Sequence, residues 1–287
     1  GKVAAGELIA LAEKDIRVTA LTAAMPSGTG LTAFAQRFPD RFFDVGIAEE
    51  HLVTTAAGMA ASGLKPYVAV YSTFLQRGYD QLLHDVCLEH LPVTLLIDRA
   101  GLVGQDGATH QGVFDLSYLR QMPGMVVAAP RDVRELKRLV RLSAEVEGPM
   151  AIRYPKIGGD MGARLAAGQP LKVGQWEELI AGEDAVILAV GRMVSTAMRV
   201  SIDLMGLHVA CGVIDARFIK PMDEDLLEKA ARGHRLVVTL EDGVLTGGFG
   251  AGVVEWLTDH GIQTELLRLG VPDQFIEYGT VSEQMIE

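Results

Sequence analysis

Short, β-branched apolar runs alternate with helical patterns along most of this chain, and that alternation leaves few folds open to it. Residues 18–23, 42–45, 67–71, 93–97, 125–129 and 150–154 read as strands. Helical patterns at 1–15, 48–61, 73–90 and 133–145 fall before and between them, the last opening on Asp132 as N-cap after Pro130, with Glu135 at the capping-box position. Such runs are too apolar to have one wet face, so they belong in parallel sheets covered by helices on both sides. The fold class expected is α/β, with two doubly wound, mainly parallel-sheet domains. A second unit repeats the pattern, with strands at 185–189, 209–214, 236–240 and 265–269 and helices near 196–204, 224–231 and 250–260. Between 157 and 175 the alternation lapses into a Gly- and Ala-rich stretch with one Pro. The expected domains are 1–160 and 175–287, with a linker at 161–174.

A net charge of −11 argues against sequence-independent binding to nucleic acid or anionic lipid, which draws on clustered Lys and Arg. Small anionic substrates remain compatible, because a pocket needs only a few cations. No uncharged run reaches the roughly 18 residues a membrane span requires, and no signal-peptide pattern opens the chain. Cys87 and Cys211 are the only cysteines, which fits a reducing cytoplasm better than a disulfide framework. Cys87 stands near His84 and His90 at helical spacing, a possible metal face; the plainer reading is a core cysteine with partly exposed histidines. The chain begins at Gly1 within a helical pattern, so upstream sequence is expected to be missing.

The run 98–115 places Asp, Arg, Gln, Thr and His in a glycine-rich loop directly after a buried-strand pattern. Open α/β sheets bind ligands at the carboxyl ends of their strands, so Arg99, Asp106 and His110 should face a cleft. At 44–51 two carboxylates, Glu49 and Glu50, and the imidazole of His51 occupy the first turn of a helix. They either answer the helix dipole, or one glutamate is partly buried at a ligand and shares a proton with a nitrogen heterocycle. Tyr71 and Phe74 follow the next strand, as core aromatics or as a platform for a ring. Arg99, Arg153 and Lys156 each follow a strand and suggest capture of a carboxylate or phosphate, whereas Arg134, Lys137, Arg138 and Arg141 read as a solvated helix face. The glycines at 247–252 do not space as G-x-G-x-x-G and read as a tight turn with close helix packing; there is no P-loop and no G-x-S-x-G elbow.

Taken together, the segments 43–51, 71–80, 98–115 and Arg153-Tyr-Pro resemble the 1-deoxy-D-xylulose-5-phosphate synthase family of the transketolase superfamily, as do 23–30, 216–221 and 241–250. The resemblance implies a thiamine-diphosphate pyrimidine-binding domain followed by a transketolase C-terminal domain. It further implies decarboxylation of pyruvate and transfer of the two-carbon unit to glyceraldehyde 3-phosphate, a step toward isoprenoid precursors, thiamine and pyridoxal. On this resemblance Glu49 would hydrogen-bond the cofactor's aminopyrimidine, Phe74 would stack on it and Ile47 would help hold the cofactor bent. Tyr71, Asp106 and His110 would line the substrate region, and Arg99 and Lys156 would hold the acceptor phosphate.

Two departures matter. The family usually carries arginine where Lys156 stands, which exchanges a bidentate clamp for a point charge. The superfamily's Gly-Asp-Gly motif, which with a downstream asparagine binds Mg²⁺, has no match, so the metal ligands are expected in a separate diphosphate domain, and this chain is expected to be inactive alone. A cytoplasmic homodimer, needing a diphosphate-binding domain or chain, is the assembly implied. Two alternatives stay open. One is a transketolase-like or 2-oxoacid dehydrogenase β-type subunit of a split enzyme, and the other is a non-catalytic assembly module.

Overall fold

A computed structural model of the chain describes residues 1–156 and 171–285. The expected boundary region at 157–170 lies outside the described residues. The first unit runs α1 (Lys2–Ala12), β1 (Val18–Thr22), α2 (Thr32–Arg37), β2 (Phe42–Asp44), α3 (Glu49–Ala61), β3 (Lys65–Tyr71), α4 (Ser72–Leu75), α5 (Tyr79–Gln81), β4 (Thr94–Asp98), α6 (Asp115–Arg120), β5 (Val126–Ala128), α7 (Val133–Ser143) and β6 (Met150–Arg153). The second runs β7 (Glu177–Ile180), β8 (Ala185–Ala189), α8 (Met193–Met205), β9 (Cys211–Asp215), β10 (Phe218–Lys220), α9 (Glu224–Gly233), β11 (Leu236–Val244), α10 (Phe249–Asp259), β12 (Glu265–Val271) and α11 (Val281–Gln284).

Two mainly parallel sheets result, ordered β10-β5-β6-β4-β3-β1-β2 and β12-β11-β8-β9-β7. The interior strands β1, β3 and β4 are buried nearly throughout, as two-sided coverage demands. Among the strands of the described residues, β10 on β5 and β7 on β9 are the antiparallel pairs. The sequence did not announce either short strand. The first has a consequence for domain structure, because β10 comes from the second unit and completes the sheet of the first.

The expected single helix at 73–90 is instead a chain of short pieces: α4, a 3₁₀ turn at Gln76–Gly78, α5 and a π-helical stretch at Leu82–Cys87. Such departures from α geometry cluster beside functional sites, and this one adjoins Tyr71 and Phe74. Cys87 is buried while His84 and His90 face outward, as in the plainer of the two readings. Asp132 does cap α7, accepting from the Glu135 amide at 2.8 Å. The Glu135 carboxylate, however, accepts from the Arg131 amide at 2.8 Å, one residue earlier than a capping box predicts. The basic face of α7 is solvated as expected, with Arg141 and Lys137 exposed, and both also pair with Glu7 of α1, at 2.8 and 3.6 Å.

Candidate active site at the carboxyl edge of the first sheet

The candidate site gathers where β1, β2, β3 and β4 end. After β2 the chain turns through Gly46, whose φ of +73° suits a residue without a side chain, and Asp44 secures the turn by accepting from the Ala24 (2.7 Å) and Gly46 (3.0 Å) amides. That turn delivers Glu49 to the start of α3 with only 2% of its surface exposed. A sheltered carboxylate needs a partner, and Arg77 supplies one at 2.6 Å. Ile47 in the same turn is 81% exposed, which leaves its apolar side chain open to a ligand or partner.

Tyr71 ends β3, and its ring lies 5.7 Å from that of Phe74 at an interplanar angle of 22°. His110 meets Phe74 in a T-shaped contact at 5.7 Å and 73°. Two guanidiniums flank this group: Arg77 lies 5.2 Å from the Phe74 ring and Arg99 4.0 Å from the Tyr71 ring. Gly28 approaches the Tyr71 hydroxyl so closely that any side chain there would displace it.

The loop after β4 carries the rest. Arg99 adopts a φ of +58°, and its carbonyl abuts Gly112, which leaves no room for a Cβ. Gly101 and Gly112 form a two-bond bridge (2.7 and 2.8 Å) that closes the loop into a narrow lobe. At its tip Asp106 accepts from both Arg99 and Lys156 at 2.9 Å. The Lys156 ammonium, with Arg99, holds the Asp106 carboxyl below its ordinary range. The His110 ring stands 2.9 Å from the Thr109 hydroxyl, and the Thr109 carbonyl accepts from Thr73 at 2.9 Å.

Arg153 does not join this face. It is 4% exposed and donates to Asp115 at 3.1 Å and to the Asp242 carbonyl at 2.9 Å, so it ties the two units together behind the loop rather than receiving an anion. The sequence-predicted residues Glu49, Tyr71, Phe74, Arg99, Asp106, His110 and Lys156 thus fall at one edge, with Ile47 exposed in the turn before Glu49, while Arg153 falls outside the cluster. Sequence reading missed Arg77 as the partner of Glu49. Its spacing of three residues from Phe74 was a signal for the ring contact but not for the ion pair.

Among the described residues, one grouping of three carboxylates could hold a metal, namely Glu135, Glu177 and Asp215. It is already occupied by guanidiniums, with Arg131 reaching Glu177 (2.7 Å) and Asp215 (2.8 Å) and Arg217 reaching Glu135 (3.0 Å), Glu177 and Asp215 (3.2 Å). Burial, then the neighbouring Glu135, push Asp215 well above the ordinary carboxylate range. The cluster is an inter-unit lock rather than a cation site.

Comparison with known proteins agrees with the geometry. Residues 1–159 match the family "Transketolase, pyrimidine binding domain" and residues 174–286 match "Transketolase, C-terminal domain". The chain is 53% identical over 272 residues to 1-deoxy-D-xylulose-5-phosphate synthase of Aquifex aeolicus, and 50% identical over 281 residues to that of Clostridium perfringens. It is covered to 95% in both cases, yet spans only 43% and 44% of those relatives. A solved structure described as "Split gene transketolase, inactive beta4 tetramer" superposes with a TM-score of 0.86 at 30% identity, covering 99% of this chain and 94% of that one. A transketolase mutant from Pichia stipitis shares the fold at a TM-score of 0.76 and 18% identity, covering 99% of this chain and 43% of that one. The chain therefore belongs to the transketolase family, as a pyrimidine-binding domain followed by a transketolase C-terminal domain, with 1-deoxy-D-xylulose-5-phosphate synthases as its relatives by sequence.

Proposed function

We propose that this chain supplies the pyrimidine-recognising and acceptor-binding side of a 1-deoxy-D-xylulose-5-phosphate synthase, which decarboxylates pyruvate and joins the two-carbon unit to glyceraldehyde 3-phosphate. The observation that carries the reading is the meeting, at one sheet edge, of buried Glu49, the Tyr71–Phe74–His110 ring group and the Arg99–Asp106–Lys156 charge cluster. Thiamine diphosphate, when bound, supplies the electron sink for breaking and making the carbon–carbon bonds.

The donor set suits the cofactor's aminopyrimidine, because a sheltered carboxylate and a half-buried aromatic face lie together. Glu49 holds or passes a proton at the ring nitrogen, and Phe74 stacks against the ring. Arg77 shares Glu49 and keeps its charge compensated between turnovers. Tyr71, Asp106 and His110 orient the donor and acceptor, and Arg99 with Lys156 binds the acceptor phosphate. The diphosphate and its Mg²⁺ find no matching donor set among the described residues. We assign their anchoring to a separate diphosphate-binding domain or chain, and cofactor binding and turnover to that assembly, as a homodimer in the cytoplasm.

A second reading, a subunit of a split transketolase, draws on the 94% coverage of the split-gene structure. The 53% identity to the synthase favours the first. Calorimetric titration of thiamine diphosphate and Mg²⁺ into this chain, alone and mixed with a diphosphate-binding half, tests the proposal. Binding should become tight only in the mixture, and turnover should require pyruvate rather than a ketose phosphate donor. Tight binding to the isolated chain would overturn the need for a second half. Wild-type turnover by the Glu49→Gln mixture would overturn the role of Glu49, whose loss should cost about 10²-fold or more.

A further inference from the structure

The loop that presents Asp106 is gripped from behind by the second unit. Asp242 accepts from the Leu102 amide at 3.1 Å while Arg192 holds the same carboxylate oxygen at 2.9 Å, and the Val244 amide donates to the Val113 carbonyl at 2.9 Å. Leu102 and Val113 pack with Val271, Ile276 and Val281 into a small apolar cluster beneath the loop. The most specific contact comes from α11. Gln284, buried at 4% exposure, accepts from the Gly104 amide at 3.0 Å and donates to the Gly104 carbonyl at 3.2 Å and to the Glu277 carbonyl at 2.7 Å. Gly104 has a φ of +74°, and a Cβ there would sit 3.2 Å from Val281, so the helix lies against bare backbone.

Both peptide groups of Gly104 are thus read by one amide side chain, and Gly104 opens the same tight turn that ends at Asp106. Gln284 bonds to Gly104 and to the Glu277 carbonyl, so its link to the site runs through the loop.

We propose that Gln284 is a positioning residue for the anion-binding loop, setting where Asp106 meets Arg99 and Lys156; this rests on the reading of those two cations as the acceptor-phosphate site. The C-terminal helix thereby becomes part of acceptor recognition, although it lies behind the site.

The test uses the full chain with Gln284→Met, which keeps the length and volume of the side chain but removes both hydrogen-bonding groups, and Gln284→Glu, which keeps the acceptor and loses the donor. Amide exchange across 99–114 should quicken about tenfold or more in Gln284→Met, less in Gln284→Glu, and remain unchanged in β3, β4 and β8. Inorganic phosphate titrated into the wild-type chain should shift the amide resonances of residues 104–110, and Gln284→Met should weaken that binding several-fold. Unchanged loop exchange in Gln284→Met, equal quickening across the whole chain, or undiminished phosphate affinity would each overturn the proposal. If the wild-type chain shows no phosphate response, the clamp reading itself fails, and the exchange result still decides whether Gln284 positions the loop.

Discussion

Asp106 accepts from Arg99 and Lys156 at the same distance, 2.9 Å, so an incoming phosphoryl group competes with it for the same donors. Neutralising the competitor should strengthen anion binding even as it removes a group from the reaction space. Asp106→Asn is expected to bind inorganic phosphate about three- to tenfold more tightly, a modest gain because these charges are partly solvated. An affinity equal to or below wild type in the same titration would contradict the competition. At Lys156 the contact is a point charge on a flexible stem. Lys156→Arg should lower KM for glyceraldehyde 3-phosphate about threefold in the assembled enzyme, with kcat nearly unchanged, because the planar fork meets two oxygens at once. Steady-state kinetics on both variants would separate these effects.

Among the elements, β11 and α10 carry a buried carboxylate whose environment makes stability depend on pH. Glu241 accepts from the Phe249 and Gly250 amides at 2.7 and 2.8 Å, where Gly248 and Gly250 leave no space for side chains. Burial nevertheless raises its carboxyl from 4.5 to about 7, outweighing the two amides. The folded chain therefore keeps this proton when the unfolded chain has released it, and stability from this group falls as pH rises through that window, by about 3 kcal/mol at most. Glu241→Gln should remove that fall, and urea denaturation across the same pH range would show it; a variant with the wild-type slope would refute the assignment. The glycines here were legible in the sequence as a tight turn with close helix packing, because their spacing excluded a dinucleotide loop. Long apolar strands such as β1, β3, β4 and β8 were legible for the same local reason. The three-residue strand β10 was not, because its antiparallel pairing with β5 is decided by tertiary contact rather than by its own pattern. In the site, Glu49, Phe74 and the 98–115 loop could be read from motif and strand end, whereas the Glu49–Arg77 pair and the grip of Gln284 on Gly104 join residues distant in sequence. Arg153 misled because a cation after a strand looks alike whether it faces a cleft or a neighbouring domain.

Across the whole molecule, the two units are locked by the Arg131–Arg217 and Glu135–Glu177–Asp215 cluster, most of which is buried. Arg217→Met would leave carboxylates facing one another without enough positive charge, and should cost about 3–5 kcal/mol, read as a lower urea midpoint with an unchanged slope. A loss within experimental error would show that the cluster is not an energetic lock. The borrowed strand β10 carries the division of labour further, since the outermost rung of the first sheet is encoded after the segment that separates the two units. Residues 1–156 produced by themselves would bare the backbone donors and acceptors of β5 along an open margin, inviting a foreign strand to fill it. Fragments cut at that seam should form larger aggregates than the assembly the intact chain adopts.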